Sequence, residues 1–398
     1  MSIFSGMGSA AAREITMTDA TLGHKMIDLA RGDVIIEPPV SICEGAISAV
    51  HARAHRDTDS IGFEPLRRAV AEKLSAGTDI DWSMEEIAIA PGAKQALLDA
   101  VSAVLDPGDE VIVIRPYWSK FPSQVLLAGG TPVFVDARRP RYIPAIGAIR
   151  AAVTPRTKAI ILNSPNNPTG AVYDRTTLQN IGELALDRQL WIISDECYSS
   201  FVFTGVRRHQ SIVMAHPGVR SRTILLNAFS NELAITGWRL AYLAAPAPII
   251  SAARTLQSRT TASPNMIAQH AVLHHLQVSD GSFESEMYQR LVDARNSGLH
   301  ILSDLRDVAP PRADGSFFFY FDLGRLISSL PIEGPIGSAD EIARLLLEEA
   351  RVRCVAGGAF GDVNGLRVSF GAPPDLLEAG LKRIVDTLNS LRMRQAGL

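Results

Sequence analysis

The chain has 398 residues, of which 46% are hydrophobic and 20% charged, and its formal net charge is −3. That length exceeds one simple core and predicts two domains, while the near-neutral charge gives no grip on nucleic acid or an anionic membrane. Three scattered cysteines, Cys43, Cys197 and Cys354, fit neither a disulfide framework nor a zinc site, so a cytoplasmic protein without metal is expected.

Residues 1–40 read as an arm. It is polar and small at first, with no basic segment ahead of an apolar core, so no signal peptide is expected. MIDLARGDVIIEPP then reads as an apolar strand that closes on Pro38 and Pro39. Apolar spacing predicts a helix over 40–55, and RRAVAEKLSAG predicts another that ends near Gly77. From residue 85 the texture changes to short Ile- and Val-rich runs: EEIAIAPG, DEVIVIRP, TPVFVDA, KAIILNSP, WIISDE and RTILLNAF. They lack polar alternation, as strands buried on both faces do. Helix-length segments such as AKQALLDAVSAVLDPG, FPSQVLLAGG, IPAIGAIRAAVTP and RTTLQNIGELALDRQ separate most of them. Strands spaced by helices predict an α/β fold with a mostly parallel, doubly wound sheet. LAYLAAP follows RTILLNAF with no helix between and is predicted to run antiparallel.

After residue 261 long helices take over, and then strands (GSFFFYFDL, VRCVAGG, GLRVSF) mix with helices. This predicts a second, smaller α+β domain that shares its layer with the N-terminal segment. The expected division is 1–45 for the arm and part of the small domain, 46–275 for the large domain and 276–398 for the rest of the small one. Residues 329–338 are expected to form a flexible insertion. No apolar run approaches the ~20 residues of a membrane-spanning helix.

Open α/β sheets bind ligands at the carboxyl ends of their strands. There Gly92, Ala93 and Lys94 open a helix, where backbone N–H groups and the helix dipole favour an anion. In NSPNNPTG the prolines and glycine fix a turn that leaves Asn167 free to point an amide into a cleft. Asp195 ends a buried strand, where a carboxylate is costly without a cationic partner. Arg239 offers a bidentate contact to phosphate, and Trp118 offers a flat aromatic face. His51 and His55 are spaced i, i+4 but lack the glutamate and third ligand of a zinc site, and no G-x-G-x-x-G follows a strand.

Residues 228–242, AFSNELAITGWRLAY, together with LNSPNNPTG and the SDE after WII, closely resemble the class I/II aminotransferases. These are fold-type I enzymes of pyridoxal 5′-phosphate (PLP), whose lysine segment reads S-x-S-K-x-x-x-x-T-G-W-R-x-G-Y. Ser230, Thr236, Gly237, Trp238, Arg239 and Tyr242 match that pattern, and Asn231 stands at the Schiff-base lysine. The resemblance covers residues 28–385. It implies the PLP-dependent transferase fold type I, with a mostly parallel seven-stranded sheet and a smaller α+β domain. It implies that Gly92, Ala93, Lys94, Ser230 and Arg239 surround the cofactor phosphate, that Trp118 stacks on the ring, and that Asn167 and Tyr198 bond its hydroxyl. Asp195 would pair with the pyridine nitrogen. Arg367, with Gly32 and Asn167, would take the substrate carboxylate. The catalytic positions are then Asn231, Asp195 and Tyr198. The implied substrates are an L-amino acid and a 2-oxo acid, and a homodimer is implied because sites in this family are completed across a two-fold axis.

Three positions depart from the family pattern. Asn231 replaces the lysine, Asp57 stands where a tyrosine reaches the neighbouring subunit's phosphate, and Ala228 replaces a phosphate-binding serine. Of the six lysines, only Lys94 falls near the expected pocket. The expected function is an aminotransferase with Asn231 at the lysine position. The alternatives are a degenerate relative that holds PLP, alone or joined to an amino acid, without turnover, or a PLP enzyme of another reaction.

Overall fold

The computed structural model describes residues 26–139, 141–205, 209–330 and 336–395, without the side chains of 138 and 392–395. The arm up to residue 25 and half of the loop expected at 329–338, residues 331–335, lie outside the described residues.

An eight-stranded sheet forms the centre of the molecule. Across it run Ile87–Ala90, Ala241–Ala244, Thr223–Ala228, Trp191–Asp195, Thr157–Asn163, Glu110–Arg115, Thr131–Arg138 and Ile143–Pro144. From Thr223–Ala228 to Thr131–Arg138 every pair is parallel. Ala241–Ala244 is antiparallel to both neighbours, as the missing crossover helix requires. The eighth strand, Ile143–Pro144, is a two-residue antiparallel edge in a stretch that reads as helix in the sequence. A proline pushes the residue before it into extended backbone, so Ile143 pairs as a strand and the helix starts only at Ile146.

The strands read as unbroken apolar runs because helices cover both faces of the sheet. Ala88, Val111, Val113 and Ile193 point into one apolar cluster, whereas Ile87, Ile112, Ile114 and Ile192 point into the other. Successive strand residues face opposite ways, so neither face shows a polar stripe.

The smaller layer is a three-stranded antiparallel sheet of Phe318–Asp322, Gly365–Ser369 and Val355–Ala356. VRCVAGG, which reads as one strand, splits in two. Val352–Arg353 pairs in parallel with Ile27–Asp28, and Val355–Ala356 joins the three-stranded sheet. The strand expected over MIDLARGDVIIEPP shrinks to Ile27–Asp28, since Ile35 N–H turns aside to donate to Gly371 O at 2.8 Å. The expected boundaries at 45/46 and 275/276 fall inside two helices, Val40–His51 and Met266–Val278, which pack closely at Gly45 and Ala271. Arg139, just beyond the strand Thr131–Arg138, ties the layers together by ion pairs to Asp322 and Asp362. Beside it, Tyr142 meets Tyr320 edge to face at 5.5 Å.

Candidate active site

Strand register brings the singled-out residues to one edge of the large sheet. Asn163 sits opposite Asp195, Asp195 opposite Leu226, and Ala90 and Ala228 both oppose Ala241. The Asp195 side chain is buried on the face covered by the helix Ala93–Val104. Burial raises its carboxyl to about pKa 6, a rise opposed by the Cys197 N–H that donates to Oδ1 at 3.1 Å and reinforced by Glu196 next door. Among the described residues no Lys, Arg or His reaches Asp195 within ion-pair distance.

A buried relay runs from Asp195 towards the small domain. Asn163 Nδ2 donates to Asp195 O at 3.1 Å, and Asn163 Oδ1 accepts the Asn167 N–H at 2.8 Å. That bond orients Asn167, whose Nδ2 donates to Tyr198 OH at 3.0 Å while its Oδ1 accepts from Arg367 Nη1 at 3.0 Å. Arg367 Nη2 donates to Ala30 O at 2.7 Å, and its buried Nε has no partner among the described residues. Phe318 and Phe360 lie against the guanidinium at 4.3 and 5.1 Å. Burial lowers the Arg367 pKa to about 10, so it stays cationic at neutral pH. Burial likewise pushes the Tyr198 phenol up.

At the other end of the site, Gly92 caps the helix Ala93–Val104 with φ +87°. A Cβ there would lie 2.7 Å from Arg239 Cζ, so only glycine lets the guanidinium cover the helix N-terminus. Arg239 is itself left-handed, at φ +58°, and donates to Thr236 O at 2.8 Å. Between these two points the single turn Phe229–Glu232 holds Ser230 and Asn231, both buried. Phe229 anchors the turn in the far-face cluster, and Glu232 pairs with Lys73. That pairing, with the Lys73 ammonium 5.7 Å from the Phe229 ring centroid, commits Lys73 away from the site.

The structure thus joins Asn167, Tyr198 and Arg367 directly, and Gly92 with Arg239. Ala93 begins the same helix, half-buried, whereas Lys94 is exposed. Trp118 is half-buried, packs against the near-face apolar cluster and meets Phe121 edge to face at 5.6 Å. Gly32 is exposed two residues beyond Ala30, with open space around its Cβ position. Asp57 is exposed and accepts from Ser263 Oγ at 3.1 Å. Residues that sequence reasoning passed over include Asn163, the first letter of the Asn-Pro turn, and Phe318 and Phe360, which carry no local signal. Another is Glu196, whose carboxylate accepts from Ser194 and Ser211 at 2.9 and 2.8 Å and lies 3.1 Å from His209 Nε2.

Residues 24–384 match the family Aminotransferase class I and II. An aspartate/prephenate aminotransferase of Cereibacter sphaeroides is 35% identical, aligned over 94% of this chain and 92% of its own. The aspartate aminotransferase of Geobacillus stearothermophilus is 33% identical over 91% of each chain. Among solved structures, the aspartate aminotransferase of Rhizobium meliloti superposes with a TM-score of 0.87 at 30% identity, covering 93% of this chain and 92% of that one. That of Thermotoga maritima gives 0.84 at 34% identity, with 92% and 93% covered. With this architecture and this agreement along almost its whole length, the chain belongs to the class I and II aminotransferases, the PLP-dependent family that moves amino groups between amino acids and 2-oxo acids.

Proposed function

We propose that this chain holds PLP without a covalent tether and serves amino-group transfer between an L-amino acid and a 2-oxo acid, slowed by Asn231. The observation that carries this reading is Asp195, a buried carboxylate with no cationic partner among the described residues. A protonated pyridine nitrogen fits that need. The rest of the edge fits the same ligand. Arg239 and the helix N-terminus at Gly92, Ala93 and Lys94 suit a phosphate, and the Ser230 hydroxyl, in the turn Phe229–Glu232, is assigned to the same group. Asn167 and Tyr198 suit a ring hydroxyl, and Trp118 suits a ring face. Arg367, fixed by Asn167 and Ala30 and with its buried Nε unpartnered among the described residues, suits the α-carboxylate, with Gly32 two residues beyond Ala30.

Bound PLP supplies the electron sink that lets an amino acid's α-carbon release its proton. Asp195 keeps the proton on the ring nitrogen, which maintains that sink. Arg367 orients the amino acid by its carboxylate, so that the α-carbon meets the reacting face. Asn231 cannot take or give a proton near neutral pH, and losing a general base costs about 10²–10⁴ in rate. From the relatives' names, aspartate and prephenate are the first donor and acceptor to test.

A second reading, a binding protein without turnover, is favoured by Asn231 and Ala228. Asn231→Lys separates the two. Restored transfer from an amino acid to a 2-oxo acid supports the enzyme reading. Covalent PLP with no transfer across a broad amino-acid panel overturns transamination, leaving a different PLP reaction if an added amino acid is consumed and the binding reading if none is.

The site itself is tested by ligand separation. Arg239→Ala should weaken PLP binding by roughly 10- to 150-fold, the worth of about 1.5–3 kcal/mol in a charge-assisted contact. It should leave amino-acid binding to the loaded protein nearly unchanged. Arg367→Ala should do the reverse. If both variants lost only the amino acid, the phosphate would be misplaced. A cytoplasmic homodimer and the division at 45/46 and 275/276 complete the proposal. The dimer is supported by an exposed apolar stripe on Val40–His51, where Val40, Ile47 and Val50 are 72%, 58% and 56% exposed.

A further inference from the structure

We infer that this site prefers the amine form of its cofactor, pyridoxamine 5′-phosphate, over the aldehyde, and that the Asn231 amide reads the difference. The inference rests on the cofactor site proposed above. Asn231 is only 9% exposed, and its amide bonds to no described residue while keeping some access to solvent, so it is free to meet a ligand. It lies in the turn between Ala228 and Arg239, beside the strand end that carries Asp195.

The ring nitrogen assigned to Asp195 is common to both forms of the cofactor, so the two differ only in the group that would meet Asn231. Among the described residues no lysine replaces Asn231 there, since Lys73 is paired with Glu232 and Lys94 faces solvent. An ammonium on the ligand donates to Asn231 Oδ1. A charge-assisted bond of that kind is about twice as strong as the neutral bond that the amide N–H would give an aldehyde oxygen. The aldehyde also forfeits the covalent bond that a lysine would have formed.

The test titrates the cofactor-stripped full chain, unaltered, with pyridoxamine 5′-phosphate, pyridoxal 5′-phosphate and pyridoxine 5′-phosphate, the last carrying a hydroxyl in place of the amine. Calorimetry or tryptophan fluorescence reports the affinities. The amine should bind at least about tenfold tighter than either of the others. Asn231→Leu, or Asn231→Ala where Leu disturbs the turn, should bring the three within about threefold. Equal or tighter binding of the aldehyde by the unaltered chain overturns the inference and leaves the cofactor site standing. A preference for the amine that survives both substitutions removes Asn231 as its cause and overturns it too. If none of the three binds, or if Arg239→Ala leaves their affinities unchanged, the site reading fails instead.

Discussion

Asp195 shows how one buried acid can weaken the empty fold and strengthen the filled one. Its folded pKa, about 6, stands above the ordinary 3.8 because burial disfavours the ionised form. The protonated form therefore favours folding below pH 4, and that advantage is lost as pH rises through about 6. Asp195→Asn should accordingly stabilise the cofactor-free protein at pH 8 by up to about 3 kcal/mol, with the gain shrinking towards pH 4. In the loaded protein the sign reverses, since a neutral amide no longer balances a pyridinium. Urea unfolding of both forms across that pH range checks the pair. A D195N gain that persisted unchanged at pH 4 would mean that packing, not charge, is responsible. Asp195, Asn167 and Arg367 were legible in the sequence because each sits in a short run whose letters are chemically constrained. Phe318 and Phe360 were not, because their meaning comes from packing against Arg367, which is 49 residues along the chain from Phe318. Nothing local in FFYF or GGAF announces that contact.

Gly92 and the turn Phe229–Glu232 show what an element end can carry. Gly92→Ala forces an L-residue to φ +87° and drives a methyl group into the Arg239 guanidinium. The expected cost is about 1–3 kcal/mol of stability, with weaker binding of any phosphate ligand. Thermal unfolding and a phosphate-ester titration measure the two effects separately. A variant with unchanged phosphate affinity would show that Arg239 does not need this close approach. The strands and helices were largely readable from apolar period, and the antiparallel Ala241–Ala244 from the absence of a helix before it. The pattern misled where hydrogen bonding was decided at long range. VIIEPP has strand composition, but its backbone partner is Gly371 rather than a ladder. VRCVAGG holds two strands because its halves meet different partners.

For the whole molecule, the uncovered stripe on Val40–His51 predicts association. Val40, Cys43, Ile47 and Val50 share one helical face, with Asp57 shortly beyond it. Ile47→Asp should convert a dimer into a monomer by light scattering at micromolar concentration while leaving the circular dichroism spectrum unchanged. An undisturbed dimer would move the interface elsewhere. No composition rule places such a stripe, since it is recognised only once the other helix faces are seen to be filled. Arg367 is where the distant parts of the chain converge: Ala30 from the N-terminal segment, Asn167 from the large sheet and Phe360 from the small layer. The rings of Phe318 and Phe360 both lie against its guanidinium, and its buried Nε is the donor atom without a partner among the described residues. Its other two nitrogens already donate to Asn167 and Ala30, so the direction of this cation is set before any ligand arrives. A ligand carboxylate therefore meets a grip whose aim was fixed by three remote stretches of chain folding together.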